Sequence, residues 1–138
     1  MEETAQVSRP GPAIDPDSAP YWRGLRSGQI LLQKCANCDE VRFPPMPGCP
    51  RCGWAASSQV VASGTGRVYS WIVVHRPIGT FSEEELPAVI ATVELDEGCR
   101  VLGRLEGASG AAVDLPVTAR FVDHGDWTEL AFAAAGER

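Results

Sequence analysis

Cys35, Cys38, Cys49 and Cys52 stand in two Cys-x-x-Cys pairs with ten residues between them. Two such turns facing each other set four thiolates at the corners of a tetrahedron, so the spacing predicts a single bound metal ion with a short ribbon folded round it. A ribbon of about forty residues buries too little apolar surface to hold itself, and thiolate ligation, about 10–16 kcal/mol in peptide systems, supplies the missing stability. With sulfur in all four positions no ligand site is left for water or substrate, which makes the ion structural rather than catalytic. The fifth cysteine, Cys99, opens a predicted strand and reads as a small buried hydrophobe.

The flanking text fits a β scaffold. Residues 29–34 and 41–43 read as strands on either side of the first cysteine pair, and Phe43-Pro44-Pro45 leads through Pro47-Gly48 to the second. Ahead of them, Asp17 or Ser18 caps a short predicted helix that tolerates Pro20 in its first turn, carries Tyr21, Trp22 and Leu25, and stops at Gly28. Residues 1–16, with Pro10, Pro12 and Pro16 and few large apolar groups, read as a flexible arm. Beyond Trp54 come five β-type runs, 65–75, 87–95, 100–105, 115–122 and 126–133, with an Asp96-Glu97-Gly98 hairpin turn between the second and third. In the first run Val68, Ser70, Ile72 and Val74 are expected on one face and Tyr69, Trp71, Val73 and His75 on the other, as in a long curved strand shared by two sides of a small barrel. Five strands are too few for a sandwich and fit a five-stranded barrel of the OB type. The expected organisation is mainly β: an arm over 1–16, helix and metal ribbon over 17–58, and the barrel over 59–138.

Charge narrows the partners. A formal net charge of −6 and a pI near 4.8 repel phosphate backbones, so nucleic acid is disfavoured even though zinc ribbons and OB barrels bind it elsewhere. Residues 21–76 nevertheless hold seven Arg and Lys against Asp39 and Glu40, a local +5, while residues 77–138 hold four Arg against twelve acids, a local −8. The basic half suits an anionic ligand or an acidic partner, or is scattered surface charge. No run of 18 apolar residues suggests a membrane span, and the acidic, Pro-rich start lacks the pattern of a secretory signal. A cytoplasmic location is expected, where paired cysteines hold metal rather than form disulfides.

Catalytic constellations are missing from the sequence. There is no Gly-x-Ser-x-Gly elbow, His-Glu-x-x-His helix or Walker loop, and Ser63-Gly64-Thr65-Gly66 reads as a turn into the long strand. The two histidines are His75, at the end of that strand, and His124 in an Asp-His-Gly-Asp turn; the Glu83-Glu84-Glu85 run reads as a solvated loop.

The Cys49-Pro50-Arg51-Cys52-Gly53 segment is similar to a rubredoxin loop, in which iron shuttles single electrons, and a tetrahedral tetrathiolate suits zinc and iron alike. A chain of 138 residues with an appended barrel is far longer than a rubredoxin, which favours Zn2+ with Fe as the alternative. A wider ordered set runs from about Pro20 to Phe132: Tyr21-Trp22-x-Gly24-Leu25, Leu32-Gln33-x-Cys35-x-x-Cys38, Arg42-Phe43-Pro44-Pro45, Cys49-Pro50-x-Cys52, Gly66-x-Val68-Tyr69-Ser70-Trp71, Val74-His75-Arg76 and Val93-Glu94-Leu95. This set resembles the acyl-CoA-associated family that joins a rubredoxin-like zinc ribbon to a C-terminal OB-fold, long catalogued as a domain of unknown function. The resemblance implies an accessory, non-catalytic subunit in a hetero-oligomer with thiolase-like enzymes, including the lipid-transfer-protein type of aldolase or thiolase that acts on steroid or fatty acyl-CoA. Some relatives accompany hydratases or hydroxymethylglutaryl-CoA synthase. Against that background Arg67, His75 and Arg76 are candidate ligands for coenzyme A phosphates, and Tyr21, Trp22, Tyr69, Trp71 and Phe81 candidate partner contacts. The loop around Gly79-Thr80-Phe81 is the kind of segment in which families vary, so the resemblance does not fix the acyl-chain specificity. Rubredoxin-like electron transfer and a nucleic-acid module are the competing functions.

Overall fold

The computed structural model describes residues 11–77, 81, 83–107 and 110–136. It opens with one helix, α1 (Ala19–Arg26), followed by a three-stranded ribbon of β1 (Leu31–Cys35), β2 (Val41–Arg42) and β3 (Ser57–Val61) in the order β2-β1-β3. Five strands then close a barrel: β4 (Thr65–Val74), β5 (Ala88–Leu95), β6 (Arg100–Glu106), β7 (Pro116–Asp123) and β8 (Thr128–Ala134), in the order β4-β5-β6-β8-β7 and back to β4. Every neighbouring pair is antiparallel except β6 and β8, which run parallel. Five strands closed in this order, with that one parallel pair, make an OB barrel. Strand β3 was not anticipated from sequence. It pairs with β1 from Leu31 opposite Val61 to Cys35 opposite Ser57, and so runs across the boundary expected at residue 58.

Local chemistry explains the helix. Ser18 and Asp15 bond each other reciprocally, Ser18 N donating to Asp15 Oδ1 at 2.8 Å and Asp15 N to Ser18 Oγ at 3.1 Å, which fixes the entry to α1. The amide and hydroxyl of Ser18 hold the Asp15 carboxyl below its usual range. At the other end Gly28 takes φ +77°, its N–H donating to Leu25 O while Gln29 N donates to Gly24 O. Those two bonds satisfy the last carbonyls in the pattern that a left-handed glycine allows.

One core serves both parts. Tyr21 and Leu25 from α1, Ile30 and Leu32 at β1, and Val68, Val93, Leu95, Val101, Val117 and Phe132 from the barrel belong to a single buried cluster. Aromatic rings extend it: Tyr21 lies 5.1 Å from Phe43 of the ribbon and 5.0 Å from Trp22, whose ring meets Trp127 of the barrel edge-on at 6.1 Å. Arg26 Nη2 donates to Gly125 O at 2.9 Å on the same side.

The alternation expected along the first barrel strand does not survive. Val68 pairs with Val93, but the next register partner is Ser70 with Thr92, so Tyr69 is an extra residue in a β-bulge. Val93 and Thr92 point to opposite faces of β5, and the bulge therefore moves Ser70 and Ile72 to the outer face and brings Trp71 and Val73 to the face of Val68. Among the described residues only Thr65, Gly66 and Arg67 pair with β7, and beyond them the β7 side of β4 makes two further bonds there, those of Val68 to Leu115 and Asp114.

The two cysteine turns repeat one another fourteen residues apart. Asp39 N donates to Cys35 O and Cys35 N to Glu40 O, as Gly53 N donates to Cys49 O and Cys49 N to Trp54 O. The residue after the second cysteine is left-handed in both, Asp39 at φ 65° and Gly53 at φ 82°.

A Cβ on Gly103 would lie 2.7 and 2.8 Å from Phe132 ring carbons and 3.1 Å from Leu130 O. Gly103→Ala should cost about 1–3 kcal/mol by overpacking and lower the melting temperature by about 4–10 °C, whereas an unchanged melt would mean that the Phe132 ring gives way freely. In the first cysteine turn a glycine relieves the left-handed strain, so Asp39→Gly should raise stability by up to about 1 kcal/mol in thermal melts of the metal-loaded chain, while Asp39→Ala should lower it.

Candidate metal centre

Strand β1 delivers Cys35 at its last position, the turn after it delivers Cys38, and the segment between β2 and β3 delivers Cys49 and Cys52. All four sulfur atoms lie within 4.8 Å of one another, with Cys35 Sγ 3.6 Å from Cys52 Sγ and Cys38 Sγ 3.6 Å from Cys49 Sγ. A tetrahedron with metal–sulfur bonds of about 2.3 Å has edges of about 3.8 Å, so the donors fit one tetrahedral ion. Among the described residues no histidine or carboxylate joins them in the cluster.

The turns supply N–H groups as well as sulfur. Asn37 N and Cys38 N donate to Cys35 Sγ at 3.4 and 3.5 Å, and Arg51 N donates to Cys49 Sγ at 3.4 Å. The site is unequal in exposure: Cys35 and Cys49 are buried, Cys38 is half-buried and Cys52 is exposed. Four thiols this close cannot all ionise without a cation between them. The backbone amides of Cys52 and Arg51 draw the Cys49 thiol down to about 6. Cys38 accepts a bond from the Glu40 amide, yet desolvation and the other three sulfurs push it up to about 12. A divalent ion removes that conflict. Arg51 Nη1 pairs with Glu40 Oε1 at 3.1 Å across the two turns, an exposed contact that adds little stability.

The other residues singled out from sequence do not form one site. Arg67 and the His75–Arg76 pair sit at opposite ends of β4, roughly 25 Å apart at about 3.3 Å per residue. Arg67 lines a cleft of about 220 Å³ with Glu94, Asp96 and Asp114 and donates to Asp114 O at 3.2 Å, so its surroundings are anionic and ill suited to phosphate. The basic half likewise does not make one anion-binding face. Arg42 is buried, its Nε donating to Gln33 Oε1 at 2.7 Å and its Nη2 to Met46 O at 3.3 Å. Arg51 is paired with Glu40 and Arg26 with a backbone carbonyl.

Tyr21 is 5% exposed, which removes it from any partner surface. Trp22 is half-buried between Tyr21 and Trp127, so its ring serves internal packing. Tyr69 and Trp71 are 50% and 37% exposed, with the Arg100 guanidinium stacked 3.6 Å above the Tyr69 ring. Phe81 is half-buried, whereas Gly79 and Thr80 lie outside the described residues. Ile72 and Val73, exposed beside Trp71, were not singled out from sequence, because the bulge that turns them is invisible in a run of alternating residues.

Neither histidine makes a reactive pair with Cys99. Burial raises the Cys99 thiol to about 11, which leaves it protonated at neutral pH. His124 stacks on Trp127 at 4.7 Å and its Nε2 lies 2.8 Å from Glu129 Oε1, while Arg104 grips the same carboxylate with two bonds of 3.1 and 3.2 Å. This half-buried cluster ties the His124 turn to the barrel wall. No helix among the described residues is long and apolar enough to cross a membrane.

Comparison with known proteins matches both halves. The rubredoxin-like zinc ribbon domain of ChsH2 matches residues 22–57, and its C-terminal OB-fold domain matches residues 59–122. Over 123 residues the chain is 37% identical to the 3-oxo-4,17-pregnadiene-20-carboxyl-CoA hydratase alpha subunit of Mycobacterium tuberculosis, covering 88% of this chain and 39% of that protein. The chain spans about two-fifths or less of the length of the hydratase alpha subunits it matches. A DUF35 domain-containing scaffold protein of Methanothermobacter thermautotrophicus is 30% identical over 118 residues, with 84% of this chain and 81% of that one covered. Among solved structures, a chain of the Ltp2-ChsH2(DUF35) aldolase superposes with a TM-score of 0.81 at 36% identity, over 91% of this chain and 99% of that one. Ribbon and barrel, matched in series and along nearly the whole of a solved homologue, place the chain in the DUF35 family of ChsH2-type zinc-ribbon and OB-fold proteins.

Proposed function

We propose that this chain is an accessory, non-catalytic subunit of a thiolase-like aldolase or thiolase acting on a steroid or fatty acyl-CoA, in a cytoplasmic hetero-oligomer, and that its four cysteines hold a structural Zn2+. The observation that carries the reading is the outer half of β4. Tyr69, Trp71, Ile72 and Val73 are 50%, 37%, 63% and 42% exposed, on both faces of the strand and beside an edge that has no ladder partner among the described residues. A tongue that is apolar on two sides suits a protein partner, since large aromatics in such patches become the anchors of interfaces. The names of the relatives support the class of partner: one solved homologue is a chain of the Ltp2-ChsH2(DUF35) aldolase, and one sequence relative is the benzoylsuccinyl-CoA thiolase subunit BbsA. His75 and Arg76, exposed just past the tongue, are the basic groups we assign to coenzyme A phosphates at the partner's edge; Arg67, among its three acids, is not.

Zinc is the ion that suits a closed, four-sulfur, redox-silent scaffold site. The purified chain should be colourless with one zinc per molecule; visible tetrathiolate–iron absorption would replace this reading with electron transfer. Because the ion contributes about 10–16 kcal/mol, as much as a whole domain's net stability, its removal by a chelator should melt the ribbon. Ile30 and Leu32 share the barrel core, so the barrel melt should fall with it; an unchanged melt of the apo chain would contradict a structural role.

Assembly is tested by co-expression with a thiolase-like protein from the same source. The two should co-purify, and Trp71→Ala should weaken the complex by about 2 kcal/mol, roughly thirtyfold in Kd, while the isolated variant still folds and keeps its metal. Failure of the unsubstituted pair to associate, with partner activity the same in its absence, would sink the proposal.

A further inference from the structure

The four cysteines share a cluster but not an environment. Cys35 and Cys49 are buried and accept backbone N–H groups, Cys38 is half-buried, and Cys52 is exposed. The Cys52 sulfur accepts a side-chain bond, from Asn37 Nδ2 at 3.6 Å, and Cys35 Sγ lies 3.6 Å away in the opposite turn. An exposed thiolate with a second sulfur in contact is the arrangement from which a disulfide forms when an oxidant arrives.

We propose that Cys52 is the peroxide-sensitive corner of the metal centre, and that its oxidation closes a Cys35–Cys52 bridge between the two turns and releases the ion. The inference rests on the zinc reading above. The Cys52 thiolate attacks one oxygen of hydrogen peroxide, the O–O bond breaks, and Cys52 becomes a sulfenic acid while the other oxygen leaves as water after taking up a proton. Cys35 Sγ then attacks the Cys52 sulfur and displaces its hydroxyl as a second water, again with one proton. Two thiolates have lost two electrons in all, and one peroxide has become two waters. Cys38 and Cys49 remain as two sulfur donors, too few for a closed tetrahedral site. A thiol reductant reverses the bridge and restores all four.

Asn37 tempers the reaction, because a donor on a thiolate lowers its nucleophilicity. Removing that bond leaves all four ligands in place, so Asn37→Ala isolates reactivity from binding.

The test begins with the zinc content of the 138-residue chain, since a preparation without zinc would fail the reading on which the inference stands rather than the inference itself. The zinc-loaded chain is then treated with hydrogen peroxide while a chromogenic chelator follows zinc release, and the product is digested with trypsin. Cleavage after Lys34, Arg42, Arg51 and Arg67 puts Cys52 in one peptide, Cys49 in another, and Cys35 with Cys38 in a third, whose fragmentation separates the two. One zinc released per Cys35–Cys52 bridge, and release about fivefold faster from Asn37→Ala, are the expected results. A bridge that maps instead to Cys38–Cys49 or within one turn, zinc retained at peroxide levels that oxidise free cysteine, or an Asn37→Ala rate equal to that of the unsubstituted chain would overturn it. The bridge is mapped on the unsubstituted chain, so it decides the question even where the variant binds zinc poorly.

Discussion

Four sulfur atoms within 4.8 Å of one another set the terms for everything upstream of the barrel. Thiolates so close repel: backbone amides draw the Cys49 thiol down, while desolvation and the neighbouring sulfurs push the Cys38 thiol up. A shared ion turns that repulsion into the strongest local attraction in the chain. Once the two turns are held together, β1 is flanked by β2 on one side and β3 on the other, and three short strands become a sheet. The sheet in turn supplies Ile30 and Leu32 to a core that it does not own alone. A small metal module and a small barrel thereby pool apolar surface that neither has in quantity, a sound solution for a chain of 138 residues.

Much of this was legible in the sequence because it depends on local pattern. The cysteine spacing names the metal ligands, and the five barrel strands lie within a residue or two of the runs marked by alternation and turn chemistry. Gly28 ends the helix where a left-handed residue was needed. What was not legible depends on pairing. Strand β3, Ser57–Val61, is short, polar at its start and exposed along most of its length, so it carries no inward stripe; it is a strand because β1 offers it an edge. The bulge at Tyr69 is likewise a property of two strands in register, and one extra residue there reverses the faces assigned to everything up to Val74. Arg42 was counted as a surface cation, but its guanidinium folds inward because Gln33, directly opposite it across the ribbon, offers an acceptor.

The candidate site divides in the same way. Its metal half follows from residue type and spacing alone. The ligand and partner half followed from residue type without position, and position has redistributed it: Tyr21 and Trp22 went to internal packing, Arg67 to an acidic neighbourhood, and Ile72 and Val73 emerged as exposed neighbours of Trp71. Aromatic character marks a side chain as valuable to bury, and leaves open whether the chain itself or another molecule does the burying.

The relay of rings from Phe43 through Tyr21 and Trp22 to Trp127 has a mechanical meaning. Edge-on and tilted rings interlock, so α1 acts as a keystone that forbids the two modules to swivel about the link between β3 and β4. A molecule that grasps the barrel's apolar tongue therefore also dictates where the metal knuckles stand, as a hand on a key's bow aims its teeth.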